Sequence, residues 1–163
     1  MDYLWTPWRY RYISEAANIT GCVFCDLPAA NRDEETFIVL RAAKNYVVLN
    51  RYPYTSGHVL IVPYAHTADF ARLDVETTAE IMLLAQRLQI ALEGVYHPDG
   101  FNMGMNLGKS AGAGIADHLH LHLLPRWQGD TNFMTTVAET RLEPEDLSTT
   151  YAKLRAALAL YTT

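Results

Sequence analysis

Residues 117–126 read Asp-His-Leu-His-Leu-His-Leu-Leu-Pro-Arg, with histidine and leucine alternating at a period of two. Only an extended strand sends successive side chains to opposite faces. A strand over 118–124 is therefore expected, with His118, His120 and His122 on one face and Leu119, Leu121 and Leu123 in the core. A chain carrying such a segment has to build a sheet and leave one face of it to three imidazoles. Half of the six histidines fall in these five residues, which weighs against an ordinary solvated face. Neutral imidazole is also the commonest metal ligand, so the triplet alone leaves a catalytic zinc open.

The segment ahead of this strand, Asn106-Leu107-Gly108-Lys109-Ser110-Ala111-Gly112-Ala113-Gly114, is built of small residues. Gly108, Gly112 and Gly114 let the backbone approach a ligand closely and turn several N–H groups toward one point, an anion nest suited to phosphate. Lys109 and Ser110 could add charge and a hydroxyl, although Lys109 reads equally well as a solvated surface charge. The loop is not a Walker motif and is weak evidence by itself. Beside three histidines it predicts nucleophilic phosphoryl chemistry, in which an exposed imidazole attacks phosphorus and divides one displacement into two.

The rest of the pattern predicts an α+β domain with a mainly antiparallel sheet, one long helix and a C-terminal helix. Strands are expected over 37–40, 46–49, 58–62 (stopped by Pro63) and 101–107, from β-branched and aromatic runs bounded by turn residues. Asp74 fits an N-cap. Ile81, Leu84, Leu88, Leu92 and Val95 then recur at helical spacing until Pro98-Asp99-Gly100. A second helix, over 144–161, carries Leu147, Tyr151, Leu154 and Leu158 on one face. With no repeat and no linker, residues 1–163 are expected to form one domain, with 1–20 as an aromatic arm that packs on something. Trp5 and Trp8 fit packing or a subunit contact better than base stacking.

The chain has 163 residues, half of them hydrophobic, enough for a core without disulfide staples. A net charge of −5 gives no general attraction to a phosphate backbone, so a long nucleic-acid partner is not expected, while a small anion held locally is. No run is long and apolar enough for a membrane span, and the N-terminus has no basic leader, so the expected location is the cytoplasm. Cys22 and Cys25, the only cysteines, have a spacing that fits half of a tetrahedral zinc site. Redox chemistry competes, but it calls for a pair opening a helix after a strand, and this pair precedes the first expected strand. Two buried thiols without metal remain an alternative.

His118-Leu119-His120-Leu121-His122-Leu123-Leu124 resembles the histidine-triad pattern and runs on into Pro125-Arg126, as in many members of that family. Asn50-Arg51 followed by residues 57–63 is similar to the family's nucleotide-binding strand pair. Residues 4–9 and 125–134 resemble a bacterial subgroup related to diadenosine tetraphosphate phosphorylases. The resemblance implies a homodimer acting on an adenine nucleotide or dinucleoside polyphosphate, with phosphate as co-substrate and a divalent cation such as magnesium accompanying the nucleotide. It implies His120 as nucleophile, His122 on the phosphoryl oxygens, His118 in support, Asn50 and His58 lining the nucleoside pocket, and Asn106 as a phosphate-contacting amide. By itself, His58 also reads as a core histidine. For the metal it implies a structural zinc on Cys22, Cys25, His66 and His118. A nucleotide-binding regulatory module without turnover, and a hydrolase of nucleoside phosphoramidates, are the alternative functions.

Overall fold

The computed structural model describes residues 21–131 and 145–160; the aromatic arm, residues 132–134 and the expected start of the last helix lie outside them. Five strands form one antiparallel sheet: β1 (Ile38–Arg41), β2 (Asn45–Leu49), β3 (Val59–Pro63), β4 (Gly100–Gly104) and β5 (Leu121–Arg126). Their spatial order is β1-β2-β3-β5-β4. Helices α1 (Val23–Ala29) and α2 (Asp33–Thr36) precede the sheet; α3 (Val75–Tyr96) and α4 (Leu147–Leu160) complete the described elements of this α+β domain.

Strands β2 and β3 are buried along their whole length, because both faces of the sheet are covered. On one face Val47, Leu49, Val59, Ile61, Leu121 and Leu123 meet α3 and α4 through Ile81, Leu84, Leu88, Leu92, Leu154 and Leu158. On the other, Ile38, Tyr46, Val48, Leu60 and Val62 gather around Phe24 of α1. Leu60 pairs directly with His122, so the histidine face is this second one, opposite the long helix. None of the helices in the described residues is long and apolar enough to cross a membrane.

α3 is fixed at both ends as its sequence predicts. The Asp74 carboxylate accepts from the Thr77 N–H at 2.6 Å, and His97 closes the helix in the left-handed conformation, φ 46°, just before Pro98. Glu80 then reaches the β1–β2 turn, accepting from the N–H groups of Ala43 (3.0 Å) and Lys44 (2.8 Å) and from the Asn45 amide (2.8 Å). Next to the site, Gly57 has φ +80°, and a Cβ there would come within 2.9 Å of Leu92 and 3.0 Å of Tyr96. Only glycine lets the chain pass α3 this closely on its way to His58.

Two strands differ from expectation by more than one residue at an end. β4 ends at Gly104, so Met105 to Leu107 belong to the following loop. β5 begins at Leu121, which leaves His118, Leu119 and His120 outside the ladder. The reason lies in β3, whose last residue is Pro63: it has no N–H to donate, and its carbonyl is taken by the His118 ring at 2.8 Å. Leu119 instead donates its N–H to the Thr67 carbonyl at 2.8 Å.

Candidate active site

The three histidines share one face, as the alternation predicts, but they are not a solvated surface. His118 and His120 are buried, at 1% and 7% exposure, and His122 is half-buried. The expectation of an exposed nucleophile is thus corrected: the Phe24 ring covers His120 at 4.8 Å between centroids. Burial disfavours the charged imidazole and pulls the pKa of all three below the ordinary histidine value. For His118 the pull is opposed by its bond to the Pro63 carbonyl, and for His120 by its bond to the His118 carbonyl. His122, buried and beside His120, is brought down to about 4. The site is therefore neutral at physiological pH.

Hydrogen-bond partners assign each tautomer, because a carbonyl can only accept and a backbone N–H can only donate. His120 Nδ1 lies 2.9 Å from the His118 carbonyl, so Nδ1 carries the proton and Nε2 keeps its lone pair. The Tyr54 N–H donates to His58 Nδ1 at 3.1 Å, which leaves the His58 proton on Nε2, where it is donated to His122 Nδ1 at 2.9 Å. His122 must then hold its own proton on Nε2. That atom is buried and has no hydrogen-bond partner among the described residues, an N–H donor awaiting an acceptor. A ring nitrogen with a free lone pair and a ring N–H donor thus stand side by side, with ring centroids 4.9 Å apart.

The sequence-predicted residues divide into three groups. Asn50 and His58 join the row: the Asn50 amide nitrogen is 3.2 Å from His58 Nδ1 and its oxygen accepts from the Tyr52 N–H at 3.0 Å. Asn106 lines a cleft of about 230 Å³ together with His122, Tyr54, Asn102 and Leu124, and its amide donates across the loop to the Gly112 carbonyl at 3.5 Å. In the loop itself Gly108 and Gly112 take positive φ and Gly114 does not. Lys109 and Ser110 sit exposed in a short 3-10 turn, in which the N–H groups of Ala111 and Gly112 bond back to the carbonyls of Gly108 and Lys109.

Cys22, Cys25, His66 and His118 converge. Their donor atoms all lie within 4.8 Å of one another, although they come from α1, the segment after β3 and the start of the histidine run. His118 Nδ1 is 3.2 Å from Cys22 Sγ and 3.6 Å from Cys25 Sγ, and His66 Nδ1 is 3.4 Å from Cys25 Sγ. Because His118 spends its proton on the Pro63 carbonyl, its Nδ1 presents a lone pair to this cluster, the arrangement of a metal-ligating histidine with its outer N–H anchored. Burial and the neighbouring Cys22 push the Cys25 thiol up, as two close thiols do without a cation between them. The thiols are free. The pair does open a helix, with Cys22 as the N-cap of α1, but no strand precedes it among the described residues.

Phe24, Tyr54 and the Pro63 carbonyl were invisible to sequence reasoning as parts of this site. Phe24 had one available signal, its place between the two cysteines; the other two depend on which segments meet in space. His118 meets the His120 ring through its main-chain carbonyl, while its own ring faces the cysteine cluster.

The chain is 39% identical over 158 residues to an AP-4-A phosphorylase of Mycobacterium tuberculosis, covering 92% of this chain and 80% of that one. Among solved structures it is similar to a Zn-bound histidine triad family protein from Mycobacterium smegmatis, with 32% identity and a TM-score of 0.71 over 86% of this chain and 94% of the other. It is also similar to a hypothetical histidine triad nucleotide-binding protein from Sulfolobus tokodaii, with 28% identity and a TM-score of 0.68 over 85% and 93% of the two chains. The HIT domain model matches residues 31–129, which contain every strand of the sheet and the whole histidine row, and the chain belongs to the HIT domain family.

Proposed function

We propose that this protein is a nucleotidyl transferase or hydrolase that acts on diadenosine polyphosphates or related adenine nucleotides through a nucleotidyl-His120 intermediate, and that its preferred acceptor is phosphate. The observation that carries the chemistry is the complementary pair of tautomers: an unprotonated Nε2 on His120 beside an Nε2–H on His122 that has no hydrogen-bond partner among the described residues.

In the first step the His120 Nε2 lone pair attacks the α-phosphorus, and the bond from that phosphorus to its bridging oxygen breaks. From diadenosine tetraphosphate the departing group is ATP. The proton stays on Nδ1, where the His118 carbonyl stabilises the charge that develops on the ring. His122 Nε2–H donates to a phosphoryl oxygen, with its orientation set by His58 and, through it, by Tyr54 and Asn50. In the second step an oxygen of inorganic phosphate attacks the same phosphorus, the N–P bond breaks, and ADP leaves with His120 restored. Water in place of phosphate gives AMP. Adenine nucleotides and phosphorolysis are favoured by the likeness to the AP-4-A phosphorylase, which spans most of both chains.

For the metal, Cys22, Cys25, His66 and His118 fit a structural zinc, two thiolates and two imidazoles around one point. Bound there, zinc would contribute folding free energy and fix α1 to the histidine segment. The likeness to a Zn-bound relative supports this reading.

Product analysis tests the function. With diadenosine tetraphosphate and a phosphate series, ADP and ATP are expected, with a rate that rises with phosphate. AMP as the main product at every phosphate concentration would make the chain a hydrolase; binding with no release of nucleotide would make it a regulatory module.

A further inference from the structure

Strand β4 turns very little toward the histidine face. Residues paired directly across an antiparallel ladder share a face, and the register sets Gly104 against His122, Asn102 against Leu124 and Gly100 against Arg126. On this face β4 therefore presents one amide between two glycines. Among the described residues, a Cβ at Gly100 or Gly104 would meet nothing within 4 Å. A shallow trough thus runs from His122 toward Arg126, and Asn102, Gly104, Leu124 and His122 line the cleft above it.

Asn102 is exposed, yet its amide has a fixed direction. Its Oδ1 accepts a hydrogen bond from Arg126 Nη1. A guanidinium can only donate, so the amide oxygen faces Arg126 and the NH2 group faces away. Arg126 is itself held as a fork: its Nε and Nη2 donate to the two carboxylate oxygens of Asp130 at 2.5 and 2.7 Å. Asp130 also accepts from the Trp127 N–H at 3.1 Å, and its charge is spent on Arg126. Because Arg126 pairs with Gly100, the Asn102 NH2 group is turned to the other side, toward Gly104 and His122. Diagonal neighbours in a ladder lie about 7–8 Å apart. A donor without an acceptor among the described residues is thus held one diagonal step from His122.

In-line displacement sends the leaving group away from the attacking atom. His120, His122, Leu124 and Arg126 follow one another along this face, so a phosphorus attacked by His120 and held by His122 expels its leaving group along the trough. The oxygens of a polyphosphate are acceptors, and only the NH2 end of an amide can meet them. Resting on the reading above, we propose that Asn102 binds the polyphosphate chain of the leaving group, donating to an oxygen beyond the attacked phosphorus. Arg126, clamped by Asp130, is the positioning residue that keeps the donor end of the amide toward the chain.

The test compares substrates that share the transferred adenylyl group: diadenosine tetraphosphate, adenosine 5′-tetraphosphate, which lacks the second adenosine, and the p-nitrophenyl ester of AMP, whose leaving group has no phosphate. Asn102→Ala is expected to lower kcat/KM for both polyphosphates about tenfold relative to the ester, as the loss of one hydrogen bond to a charged group does. Asn102→Asp, which sets an anion against the chain, should lower it further. Arg126→Gln should lower the same ratio in the wild-type background and leave it unmoved in Asn102→Ala, because the arginine acts through the amide; an unmoved ratio in both backgrounds removes its positioning role. An unchanged ratio in Asn102→Ala overturns the proposal. So does an equal loss on all the substrates, or a loss confined to the dinucleotide, which would place the amide on the second nucleoside. If the wild-type protein cleaves none of them, the catalytic reading falls and equilibrium titration still decides the subsite. Asn102→Ala should then weaken adenosine 5′-tetraphosphate about tenfold relative to AMP, and an equal effect on the two nucleotides overturns the proposal.

Discussion

At the scale of single residues, the site is a problem in proton placement. Three imidazoles packed together can be nucleophile, donor or metal ligand, and the alternating sequence follows each of them with a leucine. What separates them is the acceptor or donor each ring meets: the Pro63 carbonyl for His118, the His118 carbonyl for His120, and the protonated His58 for His122. His120→Ala removes the attacking atom together with a buried ring that packs on Phe24. Turnover is expected to fall on the order of 10⁴-fold or more, with nucleotide affinity close to wild type and thermal stability lowered by the cavity under Phe24. Single-turnover kinetics alongside an equilibrium titration checks this; activity within tenfold of wild type would remove His120 from the role.

At the scale of elements, the histidine segment is held less by its sheet than by what lies across from it. The ladder with β3 covers only Leu121 to Leu123, so the stretch that bears His118 and His120 depends on α1 and on the segment after β3. Those pieces meet at the cysteine cluster, where α1 contributes both thiols and Phe24. About one equivalent of zinc per chain is expected to copurify, and chelation should lower Tm by several degrees, because a closed four-ligand site contributes folding free energy. In Cys22→Ser, Cys25→Ser the metal should be lost. Zinc retained at full stoichiometry in that variant would place it on the histidine triplet instead.

Across the whole molecule, burying these imidazoles ties stability to pH. The folded-state pKa of His122, about 4, lies below the roughly 6.5 of an unfolded histidine, so the native state prefers the neutral ring. Its contribution is fully present above pH ~6.5 and is lost as pH falls toward ~4, because the unfolded chain takes up the proton first. His120 is shifted in the same direction. Asp130, held at about 2 by Arg126, and Asp146, held at about 2 by Ser148 and Thr149, give up their contributions at lower pH. Thermal unfolding between pH 7 and 4 should therefore show Tm falling, and falling less steeply in His122→Gln, whose amide oxygen can still accept from His58. Equal slopes in the two proteins would contradict the burial argument.

Much of this was legible in the chain because it depends on local rules. A period of two fixes which side chains share a face, so the common face of His118, His120 and His122 needed no coordinates. The Asp74 cap and the Pro98 stop bounded the long helix, and the α+β pairing of runs followed from composition and turns. The family pattern also brought Cys22, Cys25, His66 and His118 together on paper. Four things were decided only by the tertiary structure. The strand starts late, because Pro63 cannot donate and gives its carbonyl to a ring 55 residues away. His120 is enclosed, because α1 lays Phe24 on it. Tyr54 faces the cleft, because Thr55 ties its loop to β5. The protons fall where they do, because hydrogen bonds between distant segments choose among tautomers that the sequence leaves equal.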